Sequence, residues 1–340
     1  AVVINKTLQS PAFQELTSQL PPEDFLFVGD ECHRHGASNT FKALPNASMR
    51  MGLSATPFRS EDDEVDSPFP DEGKNRLLEY YGGVVDEYSL SDAINSQILT
   101  PYKYHICGVR LTSEEQDEYE DLSKKIGNLI TSGASSKADR DMLTMLCGKR
   151  SRLLGSAEEK LSVLKSILAQ MDEKEKGHVL FYCAEGSSDS GGEYTKNIDK
   201  VSTLLNELNW RTSQFTSLEK SGERKLILKS FLLGGIDALV SMKVLDEGID
   251  IPACKTAFIL ASTKNPRQYV QRRGRILRRF QGKDYAVIYD FVILPAAGRE
   301  EALASKNLVK SELERINDFM LLAKNKLEAH KELERLGIGI

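Results

Sequence analysis

The stretch Phe25-Leu-Phe-Val-Gly-Asp-Glu-Cys-His33 decides how the rest of the chain is read. Its apolar opening reads as a buried strand, and it ends abruptly in two adjacent carboxylates, Asp30 and Glu31. In a parallel α/β sheet such a pair stands at the carboxyl edge, where these folds bind ligands. One acid can hold Mg2+ through water while its neighbour polarises an attacking water. Acids also cap helices that follow strands, so the pair alone leaves both readings open.

Working outward, short apolar runs alternate with amphipathic helical stretches. Residues 1–4, 49–55, 104–111, 178–183, 211–215, 238–242, 256–261 and 285–292 read as strands. Residues 12–20 read as helix or loop and 160–170, 198–208 and 223–233 carry helical spacing, so the fold class is α/β with parallel sheets covered on both faces. Pro101 marks a joint between two units, giving domains of 1–101 and 102–295 with a helical pair at 113–154. Residues 186–192 read as a flexible surface loop. A long Glu- and Lys-rich helical pattern fills 300–336 within a C-terminal extension, 296–340. It either packs across a neighbouring surface or offers a face to a partner protein or domain.

Composition narrows the class. At 340 residues, with 40% hydrophobic and 28% charged, the chain has room for two cores and is neither disordered nor fibrous. It contains no apolar run of 18 residues and opens without a secretory pattern, and its five scattered cysteines form no CxxC pair. Those features predict a reducing, cytoplasmic setting without a membrane span. A net charge of -5 excludes a generic polycation, so any nucleic acid must be held by local patches. Seven acids and no base lie between residues 61 and 72, and eight bases and no acid between 264 and 283.

Three more segments could carry chemistry. Ser54-Ala-Thr56 places two hydroxyls by the end of the next strand, where they could bond back to the acids or simply cap a turn. The segment 240–252 sets Gly248 and Asp250 just beyond a strand, suited to close backbone approach and a ribose hydroxyl, or to a tight turn with a surface acid. In Gln271-Arg-Arg-Gly-Arg275-Ile-Leu-Arg278, a helix puts Arg275 and Arg278 on one face. Two guanidiniums there can clamp a transferring phosphoryl group, although a solvated basic helix would also show this pattern.

Together and in this order, DECH at 30–33, SAT at 54–56, the segment 240–252 and QRxGRxxR at 271–278 resemble the motifs of superfamily 2 helicases and translocases of the DExH branch. The resemblance covers about residues 1–295 and implies two RecA-like lobes binding ATP and Mg2+, with nucleic acid across both. It implies Asp30 as the Mg2+ residue (through water) and Glu31 as the residue that activates water. His33, Ser54, Thr56, Gln271 and Arg272 would couple nucleotide state to movement. Arg275 and Arg278 would act as arginine fingers, and Gly248 and Asp250 would serve the nucleotide. Thr7, Gln9, Ser10 and Ser241 look like contacts to the nucleic-acid backbone. Residues 99–111 look most like the connecting segment of excision-repair helicases and of restriction or phage-defence motors, which favours DNA over RNA.

One departure stands out. The phosphate-binding loop GxxxxGK[ST] is not found, and Cys147-Gly-Lys-Arg150 lacks its first glycine and its hydroxyl residue. The expectation is that the first lobe is incomplete, that its N-terminal portion is missing from this stretch, and that the stretch alone does not hydrolyse ATP. The rival readings are a non-catalytic nucleic-acid or protein-binding clamp and, more distantly, a kinase or transferase on a similar sheet.

Overall fold

In the computed structural model, residues 1–58, 72–133, 136–184, 187–189, 194–216, 219–242, 251–261 and 266–338 are described. They fall into two units, Ala1–Glu87 with Asn265–Val270, and Tyr88–Lys264 with Gln271–Ile340.

The first unit contains helices α1 (Asn5–Leu8) and α2 (Pro11–Ser18), strand β1 (Leu26–Asp30), helix α3 (Ser38–Lys42), strand β2 (Met49–Leu53) and helix α4 (Glu72–Tyr81). The two strands pair in parallel, with Leu26 opposite Met49 and Asp30 opposite Leu53. Phe27 and Gly29 turn toward the aromatic end of α4, where the Phe27 and Tyr80 rings meet edge to face at 5.9 Å. Gly29 is required there, because a Cβ would lie 2.2 Å from the Tyr81 hydroxyl and 2.7 Å from the His35 ring. Leu26, Val28, Met49, Met51 and Leu53 remain about half exposed. Residues 1–4, expected as a strand, pair with none of the described strands and lie exposed ahead of α1. A β-branched run becomes a strand only where a neighbouring backbone accepts its hydrogen bonds.

The second unit begins with α5 (Leu90–Asn95), β3 (Tyr102–Arg110), α6 (Ser113–Thr131), α7 (Lys137–Gly155) and α8 (Glu159–Leu168). It continues with β4 (Val179–Tyr182), β5 (Ser187–Asp189), β6 (Tyr194–Lys196), α9 (Asn197–Glu207), β7 (Thr212–Phe215), α10 (Ser221–Leu232), β8 (Ala238–Ser241) and β9 (Thr256–Ile259). The last elements are α11 (Pro266–Ile276), β10 (Ala286–Leu294), α12 (Leu303–Leu321) and α13 (Lys326–Arg335). Six strands form one parallel sheet in the order β3-β10-β9-β4-β8-β7. Its central strands are fully buried, and Phe181, Phe258 and Tyr289 stack across three neighbouring strands at 4.8 and 4.7 Å. Continuous apolar strands covered on both faces are what parallel connections by helices demand.

Two expectations change here. Residues 187–189 of the expected loop form β5, paired antiparallel with β6 beyond it, while residues 186 and 190–192 lie outside the described set. The long C-terminal pattern is two helices rather than one. Between them the chain leaves helical geometry to serve edge strand β3. The Asn325 side chain accepts from Tyr104 N at 2.8 Å and donates to Tyr104 O at 3.0 Å, and Lys324 N donates to Tyr102 O at 2.8 Å. Glu332 then accepts from Ile106 N at 2.8 Å. These groups occupy edge positions that would otherwise invite another strand. Leu308, Ile316, Phe319, Ala329 and Leu333 are buried within the unit, so much of the helices' apolar surface is already used internally.

Candidate active site

Strand β1 delivers Asp30 to the carboxyl edge, as the apolar run predicts. Asp30 is exposed, and its Oδ1 accepts from Glu31 N at 2.9 Å. Glu31 adopts left-handed backbone geometry, with φ 49° and ψ 47°, before the 3-10 turn Cys32–Gly36. That conformation is uncommon and costly for a residue with a Cβ, and such positions cluster at functional sites. The turn returns the Glu31 carboxylate toward the buried His33, with Oε2 3.2 Å from Nδ1.

The same His33 Nδ1 lies 3.0 Å from the Ser54 hydroxyl, and Ser54 Oγ accepts from Thr56 N at 3.2 Å. Nδ1 of His33 thus lies within reach of both the Glu31 carboxylate and the Ser54 hydroxyl. The SAT hydroxyl therefore reaches the acids through the histidine. Below this layer, His35 Nδ1 meets the Tyr81 hydroxyl at 2.6 Å and Nε2 meets Asn5 Oδ1 at 3.3 Å. Burial, aided by the neighbouring His33, lowers the His35 pKa to about 4, and burial raises the Cys32 thiol to about 11. Both are neutral packing groups at pH 7.

In the second unit, Gln271, Arg272, Arg273 and Arg275 ride on α11, and Arg278 follows its end. Arg272 is buried with its guanidinium 5.4 Å from the centre of the Tyr182 ring. Gln271 and Arg275 are partly exposed and Arg278 is exposed. The backbone beyond the helix is fixed by a bridge between Leu99 and Arg278 and by Thr100 N donating to Leu277 O at 2.7 Å. Gly248 and Asp250 lie outside the described residues.

The expected nucleic-acid contacts divide. Thr7 is exposed on α1; Gln9 donates to Thr40 Oγ1 at 2.8 Å; and the Ser10 hydroxyl donates to Thr7 O at 2.7 Å. Ser241 is a correction: it is fully buried at the end of β8, and its hydroxyl donates to Phe215 O at 2.9 Å. A hydroxyl held against a neighbouring strand offers nothing to a phosphate. Arg273, Asp318 and Lys283 were not anticipated as site residues, because their partners lie far away in sequence or on the main chain.

Asp30 is an exposed hard-oxygen ligand of the type that suits Mg2+. No helix among the described residues is long and apolar enough to cross a membrane.

Residues 159–280 match the helicase conserved C-terminal domain. The DNA 3'-5' translocase XPB2 of Sulfurisphaera tokodaii is 26% identical over 275 residues, spanning 78% of this chain and 57% of that protein. These matches make the chain similar to helicases and translocases of superfamily 2. Putative helicase 22 of a Sulfolobus islandicus filamentous virus is 24% identical over 295 residues, covering 84% of this chain and 46% of the relative. The chain thus spans about half the length of these two curated relatives. The ATP-dependent Type ISP restriction-modification enzyme LlaBIII bound to DNA shares the fold, with a TM-score of 0.54 and 18% identity over 95% of this chain and 22% of that one.

Proposed function

We propose that the whole protein is an ATP-driven motor that translocates on or unwinds DNA, and that its water-activating carboxylate is Glu31. The observation that carries this reading is the Glu31–His33–Ser54 chain, which connects the acid at the end of β1 to the hydroxyl after β2. A solvated capping acid has no need of a buried histidine shared with a second strand. In this reading Asp30 holds Mg2+ through water, and the cation supplies charge neutralisation at the phosphates. Glu31 orients and polarises the attacking water. His33 holds the carboxylate and passes its position to Ser54 and Thr56. Arg275 and Arg278 stabilise charge developing on the phosphoryl group, with Gln271 and Arg272 coupling that step to movement. Gly248 and Asp250 are proposed to serve the nucleotide, and Thr7, Gln9 and Ser10 to grip the phosphate backbone.

Support for DNA comes from the similarity to the DNA 3'-5' translocase XPB2 of Sulfurisphaera tokodaii and from the segment 99–111. The half-exposed apolar side chains of β1 and β2 support further chain covering them in the working protein. A cytoplasmic motor in repair, restriction or phage defence fits the same residues. The test is ATP turnover by the full-length protein with single-stranded DNA, duplex DNA or RNA, comparing wild type with Glu31→Gln. The variant should bind ATP and lose about 10²-fold or more of turnover. Equal turnover would remove Glu31 from this role, and ATP-independent DNA binding without turnover in wild type would favour the clamp.

A further inference from the structure

Arg273 occupies a position that QRxGRxxR leaves free, yet the fold holds it firmly. It is buried, with Nη2 2.8 Å from Asp318 Oδ2 and Nη1 donating to Asp318 O at 3.0 Å. Its guanidinium also lies 4.7 Å from the centre of the Phe319 ring. Asp318 and Phe319 are neighbours on α12, and α12 is itself secured to the sheet. Arg315, one turn earlier, donates from Nε to the buried Asp290 of β10 at 2.9 Å, and Tyr104 of β3 stacks on Phe319 at 5.2 Å.

The far end of the arginine helix is held separately. Buried Lys283 donates from Nζ to Ile276 O at 2.5 Å and to Arg278 O at 2.9 Å, and it reaches Pro252 O at 3.4 Å. A lysine ammonium is well placed against the carbonyl end of a helix. With its end fixed, the remaining freedom of α11 is rotation about its axis. Two residues along an α-helix turn the side-chain direction by about 200°, so locking Arg273 inward sets Arg275 on nearly the opposite side. A guanidinium that stabilises a transition state must be placed within a fraction of an ångström, and about 1 Å of misplacement can cost 10²-fold.

We propose that Asp318 is a positioning residue: through Arg273 it sets the rotation of the arginine helix, so that the C-terminal helix α12 controls the rate of ATP turnover. The inference rests on the helicase reading above and names a regulator of the same site. Asp318 touches neither nucleotide nor DNA in this scheme, so its effect falls on kcat rather than on nucleotide affinity.

The test uses full-length protein and ATPase assays with saturating single-stranded DNA, comparing wild type, Asp318→Asn, Asp318→Glu and Glu31→Gln. Asp318→Asn should lower kcat by about tenfold or more, with KM for ATP changed less than about twofold and the thermal midpoint close to wild type. Asp318→Glu, which restores the charge, should recover most of kcat. The proposal is overturned if Asp318→Asn keeps wild-type kcat, or if both Asp318 variants lose kcat equally together with their thermal midpoint. If Glu31→Gln loses turnover while Asp318→Asn does not, the positioning role alone fails. Retained turnover in Glu31→Gln removes the helicase reading and this proposal with it.

Discussion

The Ser54 hydroxyl lies 3.0 Å from Nδ1 of His33, joining the residue after β2 to the turn after β1. Because the same nitrogen faces Glu31, a change in the carboxylate's charge or position reaches Ser54 through one ring. Ser54→Ala removes that hydroxyl and leaves the acids in place. A net hydrogen bond of about 1 kcal/mol corresponds to about fivefold, so in the motor proposed above DNA translocation per ATP hydrolysed should fall by that order while ATPase falls less. Parallel translocation and ATPase rates check it. Equal loss of both would place Ser54 in hydrolysis rather than coupling.

Gly29 sits where a methyl group would meet the Tyr81 hydroxyl and the His35 ring at 2.2 and 2.7 Å. Gly29→Ala should destabilise the protein by about 1–3 kcal/mol, read from urea unfolding, because the aromatic layer must move aside. Wild-type stability in this variant would mean that the layer yields freely.

His35 gives stability an acid limb. Its pKa falls from the ordinary 6.5 to about 4, chiefly through burial and secondarily through His33. The unfolded chain therefore takes up a proton between these values while the folded chain does not. This contribution is intact above about pH 6.5 and is lost as pH falls toward 4. Thermal midpoints across that window should decline in wild type and decline less in His35→Gln, whose side chain does not titrate. Identical profiles would assign the acid limb to other groups.

Arg315 holds two buried acids, Asp290 at 2.9 Å and Glu312 at 2.5 Å. Arg315→Met would leave both carboxylates without their guanidinium in a site closed to water. A loss of about 3–5 kcal/mol is expected by denaturant titration. A smaller effect in Arg315→Met/Asp290→Leu than in the single variant would identify the stranded charge as the cause.

Much of the second unit's framework is visible in its residues. The runs that read as strands at 178–183, 238–242 and 256–261 become β4, β8 and β9, because a strand buried on both faces has to be apolar throughout. The acids at 30 and 31 were recognisable by the strand that ends on them. Harder to read were residues whose partners are distant. Nothing local distinguishes the basic side chain of Arg273 from its solvated neighbours, since Asp318 comes 45 positions later. Ser241 misled for the same reason: a hydroxyl at a strand end looks available until an adjacent strand supplies a carbonyl.

Sequence order by itself determined the alternation of strands and helices, the placing of Asp30 and Glu31 at a strand end, and the family signature. Those follow from local periodicity and from the chemistry of adjacent residues. Tertiary structure alone decided that His33 lies between Glu31 and Ser54, that residues 1–4 pair with none of the described strands, and that the C-terminal stretch breaks to guard the edge of β3. Each depends on which backbone and side-chain groups meet after the chain has folded back on itself, and hydrogen bonds depend on that meeting rather than on sequence separation.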